Sequence, residues 1–224
     1  MTDQETPPAA PAPALRPIGG AARCAVVGLG LASLAWAARA VWHVRLARAG
    51  QPASGPPDQG GGVHRPLTAL EDSYHLVASL GSAVTAVCAV AFLLWLDRVR
   101  DNARALSGTE PRYGYHWLFL GWIVPVGNLW IPRGIVADVH RSVFPDRRLP
   151  SVVNWWWGLW LAGLAGGVGL VYSDSHDEVI ARAYTGVLPL LAADLVIIAA
   201  AVAAALMVRT LTAAQQGHIA RRGY

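Results

Sequence analysis

Lysine is absent from this chain of 224 residues, and all 18 of its basic residues are arginine. Heavy use of alanine, glycine and proline accompanies this absence, and the combination is typical of a GC-rich bacterial genome such as an actinobacterial one. Charged residues of either sign are scarce. They form 14% of the chain, whereas an ordinary soluble domain has about 25%. Because hydrophobic residues reach 54%, the composition indicates an integral membrane protein with short polar connections.

Signatures of catalysis and of metal binding are also missing. The chain has no Gly-x-Ser-x-Gly elbow, phosphate loop, dinucleotide fingerprint or His-Glu-x-x-His pair. Its two cysteines, Cys24 and Cys88, lie in apolar stretches, where a lone thiol behaves as a small hydrophobic group. We therefore expect a non-enzymatic protein with no disulfide, metal or cofactor. The net charge of +4 is spread over several loops, which favours attraction to anionic membrane lipid over nucleic acid.

Four apolar stretches are long enough to span a bilayer, which takes ~17–25 residues. They cover about 24–43, 75–96, 153–172 and 186–208. These stretches predict an all-α integral membrane fold with four transmembrane helices, inside a membrane domain from 21 to 210. The first stretch follows a long, proline-rich tail, so we expect an uncleaved anchor rather than a signal peptide.

The polar segments complete this organisation. Residues 1–20 are rich in proline and alanine, which predicts a disordered cytoplasmic tail of polyproline character. Such a tail is either a ligand for a partner domain or without a binding role. The glycine- and proline-rich segment 44–74 predicts a flexible outer loop, and 211–224 a second cytoplasmic tail.

The run 117–131 is apolar and aromatic, but a helix over it would be only about 22 Å long, against a hydrocarbon core of about 30 Å. Pro125, Gly127 and Asn128 interrupt it. Non-helical backbone at membrane depth must be buried against protein or a wet cavity. We therefore predict a re-entrant segment, followed by a short interfacial helix over 132–144 that Pro132 opens.

Arginine placement orients the spans. The loops 97–116 and 132–152 hold four arginines each, whereas 173–185 holds Arg182 against three carboxylates. Arginine favours the cytoplasmic side, and both loops beside 117–131 can lie there only if that segment does not span. We expect a multi-pass protein of the bacterial cytoplasmic membrane, with both termini in the cytoplasm and an aromatic collar of tryptophans in the inner leaflet.

Trp95, Arg98 and Asn102 recur at i, i+3 and i+7, so they share one helix face. A tryptophan, an arginine fork and an amide on one stripe suit a lipid phosphate or carbonyls freed by the Pro125 break. The alternative is an interfacial anchor followed by a solvated face. The candidate ligand or partner contacts are Trp95, Arg98, Asn102, Trp122 and Asn128, and the candidate break residues are Pro125, Gly127 and Pro132.

These residues also carry a family resemblance. Trp95, Arg98 and Asn102, then the spacing Trp122-x-x-Pro125-x-x-Asn128-Leu-x-x-Pro132, then the triple tryptophan 155–157 resemble the bacterial membrane family called domain of unknown function 4328. The resemblance covers roughly 70–210 and implies a multi-span protein, but no activity comes with it.

One carboxylate, Asp194, falls within the last span, where a charge is costly unless paired. Arg39 lies at a comparable depth in the first span, so we expect an intramembrane ion pair; a proton or cation relay is the alternative. The leading functional hypothesis is an interaction or sensing module with an inner-leaflet site for lipid, a protein partner or a second copy. A small transporter or channel component that uses 117–131 is the runner-up, and a lipid-modifying enzyme is weaker.

Overall fold

A computed structural model describes residues 15–165 and 175–222. The elements of these ranges are helices, and the all-helical prediction is confirmed. The helices are α1 (Gly19–Ala49), α2 (Ala69–Ser107), α3 (Trp117–Ile123), a 3₁₀ turn (Gly127–Leu129), α4 (Ile131–Val143), α5 (Ser151–Ala165), α6 (His176–Thr185) and α7 (Val187–Arg222).

Three of the described helices, α1, α2 and α7, are long and apolar enough to cross a membrane. They contain 31, 39 and 36 residues. At 1.5 Å per residue their lengths are roughly 46, 58 and 54 Å, well beyond a hydrocarbon core of about 30 Å. They cover the predicted stretches 24–43, 75–96 and 186–208. The stretch 153–172 begins in α5, and its residues from 166 onward lie outside the described residues.

Helix α1 packs against both α2 and α7, while α5 packs on α7 and α4 on α2. Gly28 permits a close approach, because a Cβ at this position would lie 3.2 Å from Cys88 Cα. Ala25, buried nearby, keeps the same face of α1 small. Small residues at these positions let the two backbones come together in a membrane protein.

The bundle has two ends of different composition. The arginine-rich end comprises residues 15–18, α2 from Asp97, α4, and α7 from Arg209. The loop end comprises residues 50–68, the first turns of α2, and α6. Helix α1 begins at the arginine-rich end and finishes at the loop end, where the Trp42 indole N–H donates to the Leu70 carbonyl at 2.9 Å.

Two segments differ from their sequence-based bounds. The predicted loop 44–74 is helical at both margins, because α1 continues to Ala49 and a Thr68–Glu71 capping box starts α2 at Ala69. Helix α4 is amphipathic as predicted, but Ile135, Val136 and Val139 are buried in the protein core. Its apolar face therefore packs on the bundle and is not spread on lipid.

Candidate functional site

The five predicted contact residues fall into two groups. Trp95, Arg98 and Asn102 lie along one face of α2 and point toward residues 16–17 and α7. Trp122 and Asn128 lie instead in and beside the break between α3 and α4. Phe92 connects the groups, since its ring centroid lies 5.4 Å from Trp95 and 5.7 Å from Trp122.

Asn102 is completely buried and binds the backbone of the chain's own N-terminal segment. Its Oδ1 accepts the Arg16 amide N–H at 2.7 Å, and its Nδ2 donates to the Arg16 carbonyl at 2.8 Å. Arg98 Nη1 donates to the next carbonyl, that of Pro17, at 3.1 Å. We call Arg98 and Asn102, together with the backbone of residues 16 and 17, the N-terminal clasp. The carbonyls that these side chains bind thus belong to residues 16 and 17, not to the Pro125 break.

The Arg16 side chain adds an exposed contact to the clasp. Its Nη1 lies 2.9 Å from Asp97 Oδ2 and 2.5 Å from Asp101 Oδ2. One turn of α2 thus supplies three side chains that contact residue 16 or 17, namely Asp97, Arg98 and Asp101. Exposed pairs of this type contribute little to stability, so the buried amide of Asn102 is the stronger element.

Trp95 ties α2 to α7. It is fully buried, and its indole N–H donates to Thr212 Oγ1 at 2.9 Å. One turn further along α2, Gln215 Nε2 donates to the Val99 carbonyl at 3.0 Å. Buried polar groups need such partners. Here the two hydrogen bonds fix the position of α2 along α7.

The tryptophans of the predicted inner-leaflet collar differ in burial. Trp95, Trp156 and Trp157 are core residues with exposures of 0%, 3% and 6%, whereas Trp130 and Trp155 are 54% and 69% exposed. The Trp156 ring packs near Phe92 and Trp122, with centroid distances of 6.0 and 6.2 Å. These contacts connect α5 to α2 and α3, and large rings here avoid a void that would lose contact energy.

The backbone forms a hydrogen bond across the break between α3 and α4. Helix α3 ends at Ile123, Val124 is extended, and the Asn128 N–H returns to the Val124 carbonyl at 2.8 Å. Gly121 allows α3 to approach α4, because a Cβ there would lie 2.8 Å from Ile131 Cγ2. Pro132 occupies the first turn of α4, where a missing N–H costs nothing.

Side chains surround the break on its protein side. Asn128 is 3% exposed, and its Oδ1 accepts the Trp160 indole N–H at 3.3 Å. Trp122 packs edge-on against Trp160 with a centroid distance of 5.7 Å. Its own Nε1 is buried and has no hydrogen-bond partner among the described residues. On the other side, Ile123 is 72% exposed, so the break presents apolar groups outward.

A second polar cluster lies within the predicted spans. Arg39 Nε is 3.5 Å from Asp194 Oδ1, and His43 Nδ1 is 2.9 Å from Asp194 Oδ2. His43 and Asp194 are fully buried, while the Arg39 side chain is 24% exposed. His43 was not among the residues predicted from the sequence, although it follows Arg39 by four residues and therefore shares its face of α1.

The loop end holds a third cluster, outside the apolar stretches. Glu71 is fully buried and accepts both Nη atoms of Arg65, at 2.9 and 2.6 Å, and the Tyr184 hydroxyl at 2.9 Å. The Arg65 fork, opposed by burial, lowers the pKa of Glu71 to about 2. Burial and the Glu71 carboxylate raise the pKa of Tyr184 to about 12. The sequence signal for this cluster was the capping box Thr68-x-x-Glu71.

At the arginine-rich end, burial and the nearby charges of Arg147 and Arg141 lower the pKa of His140. His140 Nδ1 is buried without a hydrogen-bond partner among the described residues. Within the same described ranges, no three metal-binding side chains come together.

Comparison with known proteins gives one match. The family model described as "Domain of unknown function (DUF4328)" matches residues 59–213. No curated protein and no solved structure matches the chain. The matched range includes α2 through most of α7 and leaves α1 and residue 16 outside. Since it covers more than half of the chain, this protein belongs to the DUF4328 family.

Proposed function

We propose that this protein is a non-enzymatic interaction module of the bacterial cytoplasmic membrane, with both termini in the cytoplasm and a protein partner at the arginine-rich end. The N-terminal clasp is the observation that carries the proposal. Its polar groups recognise peptide backbone, because one buried amide binds both the N–H and the C=O of Arg16. A paired strand recognises a peptide through the same two groups.

The clasp determines where the N-terminal tail begins. It holds residue 16 against α2, at the arginine-rich end of the bundle. Proline-rich segments bind partner domains with a small ordering cost, because their extended conformation is already favoured. An anchored tail of this composition is therefore suited to present a ligand to a cytoplasmic partner.

Charge at the same end favours a partner with an acidic surface. Exposed arginines at or beside this end that form no ion pair with described residues include Arg141, Arg147, Arg148, Arg209 and Arg221. Unpaired surface charge steers association with an oppositely charged protein. It also holds anionic lipid of the inner leaflet, at about 1 kcal/mol per arginine near the surface. Lipid is thus a neighbour of the proposed partner site.

Photocrosslinking in intact cells tests this proposal. A photoreactive residue replaces Ala12 in the tail of the full-length protein, and a matched variant carries it at Ala53 in the loop at the other end. We expect a protein adduct of one defined mass from the Ala12 position only. The adduct should weaken severalfold when Asn102→Ala opens the clasp, as expected when two hydrogen bonds of about 1 kcal/mol each are lost. Lipid adducts alone, or the same protein adducts from both positions, would contradict the proposal.

A small transporter or channel component remains the alternative, favoured by the unpartnered Trp122 indole N–H beside the break. Broken helices line solute paths in transporters. On this alternative, Asn128→Ala abolishes release of trapped solutes from proteoliposomes while the protein stays folded. An interaction module gives no release with either the native chain or the variant.

A further inference from the structure

A groove between α1 and α2 is a feature that the proposed function does not use. It has a volume of about 480 Å³ and runs along α2 from Tyr74 to Ala89, about 22 Å at 1.5 Å per residue. Its floor consists of small residues, including Ala78, Gly81 and Ala86. A Cβ added at Gly81 would meet no heavy atom within 4 Å, so this part of the groove is open space.

The two ends of the groove differ in polarity. Trp42 lies beside Leu70, and Gly28 beside Cys88, so the helices run antiparallel and Arg39 lies near the Tyr74 end. The opposite end, toward Ala89, is apolar. The groove is thus polar near the loop end and apolar deeper in the bilayer, which is the polarity of an amphiphile.

Arg39 supplies the polar end. Its guanidinium lies 4.8 Å from the centroid of the Trp36 ring, and both side chains line the groove. Its Nε lies 3.5 Å from Asp194 Oδ1, a long distance for an ion pair, while His43 Nδ1 lies 2.9 Å from the other carboxylate oxygen. The Nη atoms donate no hydrogen bond to a described residue. Donors at membrane depth are costly without an acceptor, and a guanidinium fork matches phosphate oxygens.

The helices that form the groove also expose large side chains of the kind that contact lipid. Leu34 on α1 and Leu80 and Val87 on α2 are 68%, 57% and 69% exposed. Such exposure along a span is expected only where the surroundings are hydrocarbon. A ligand that enters the groove sideways from these surroundings is a lipid rather than a soluble metabolite.

We propose that the groove binds one membrane phospholipid, with its phosphate on the Arg39 guanidinium and an acyl chain along the small residues of α2. Ser82 lies about halfway along the groove, and its hydroxyl is the lining polar group that comes next after Arg39 and Tyr74 along the groove. The site is distinct from the arginine-rich end and does not depend on a protein partner.

Two lipid probes in the same membrane test the proposal. The full-length protein is reconstituted with phosphatidylglycerol or with diacylglycerol, each carrying a diazirine near the end of one acyl chain, and labelled peptides are identified by mass spectrometry. We expect phosphatidylglycerol to label α2 around 85–89 well above exposed positions of α7 at a similar depth, such as Val202 and Leu206. Labelling by phosphate-free diacylglycerol should be about tenfold weaker, the loss expected for a charge-assisted hydrogen bond.

Three variants separate the parts of the site. Gly81→Leu fills the groove and should remove the preferred labelling, whereas Gly30→Leu, also in open space on α1, should leave it unchanged. Arg39→Gln should reduce phosphatidylglycerol labelling to the diacylglycerol level. If Arg39→Gln fails to fold, the comparison of Gly81→Leu with Gly30→Leu and the comparison of the two lipid probes still test the proposal. Uniform labelling of exposed positions, insensitivity to Gly81→Leu, or equal labelling by both lipids would overturn the proposal.

Discussion

The two ends of the bundle bury polar groups in opposite ways. At the loop end, the buried groups are charged and paired: Glu71 and Arg65 form a two-bonded ion pair that Tyr184 completes. At the arginine-rich end, the buried groups bind neutral partners and form no ion pair among the described residues. Asn102 binds backbone, Trp95 binds a hydroxyl, and the buried Arg100 donates to the Tyr113 carbonyl. The end with the most arginines is therefore not the end where a buried ion pair stabilises the fold.

The largest effect should come from breaking the loop-end pair. Glu71→Gln keeps the shape of the side chain but leaves Arg65 buried without a counter-charge, which typically costs 3–5 kcal/mol. We expect the free energy of unfolding, measured by SDS titration in mixed micelles, to fall by about 3 kcal/mol. Tyr184→Phe, which removes one hydrogen bond and no charge, should cost about 1 kcal/mol. Equal losses in the two variants would show that charge pairing is not the source.

The two ends of the bundle should lose stability in different pH ranges as the solution is acidified. The pKa of Glu71 is lowered from 4.5 to about 2, so its contribution is complete above pH 4.5 and is lost as the pH falls toward 2. The pKa of His140 is lowered from 6.5, so protonation opposes folding as the pH falls below 6.5. Hydrogen exchange should therefore rise first in α4 and only at stronger acid in the first turns of α2. His140→Asn should remove the first step, and Glu71→Gln the second. A single step at both ends would contradict this assignment.

Opening the clasp should have an intermediate effect. Asn102→Ala removes two hydrogen bonds to Arg16, and we expect a loss of about 2 kcal/mol. The Arg16 amide should lose its protection from hydrogen exchange, while α6 at the other end keeps its own. Asn154→Ala is the matched control, because Asn154 accepts only the exposed Arg133 fork. Retained protection at Arg16 in Asn102→Ala would mean that other contacts hold the segment.

The smallest effect should come from the surface charges. Arg104 pairs with Glu110 at 2.6 Å, and the two side chains are 59% and 75% exposed. Arg104→Gln should change the free energy of unfolding by less than about 0.5 kcal/mol. A loss as large as that of Glu71→Gln would remove the contrast between the two ends.

Length and hydropathy were sufficient to predict the helical architecture. The stretches 24–43, 75–96 and 186–208 lie within α1, α2 and α7 because an uninterrupted apolar run can satisfy its backbone in lipid only as a helix. Pro125 and Pro132 likewise marked the end of one helix and the start of another, since a proline cannot donate to the helical ladder.

Length and hydropathy could not predict which part of the chain each helix face packs against. Trp95 was expected in an aromatic collar of the inner leaflet, and the sequence did not indicate that its face of α2 meets α7 and buries the ring in the core. Hydropathy does not distinguish lipid from protein as the neighbour of an apolar face. Asn102 was predicted to contact a ligand or partner, and this prediction stays untested. What the structure adds is its contact with Arg16, a residue 86 positions away, which local spacing could not indicate.

The continuity of the two longest helices has a mechanical consequence. Helix α2 runs without interruption from its apolar stretch to Ser107, so the part beyond Leu96 continues for about 16 Å, packed against α7 through Gln215. Spanning helices respond to bilayer thickness by tilting, and a change as large as their mean tilt of about 20° would move the end of this segment by about 5 Å. Asn102 and Arg98 lie on this segment of α2. A change in bilayer thickness would therefore move these two side chains and pull on residues 16 and 17, which they bind.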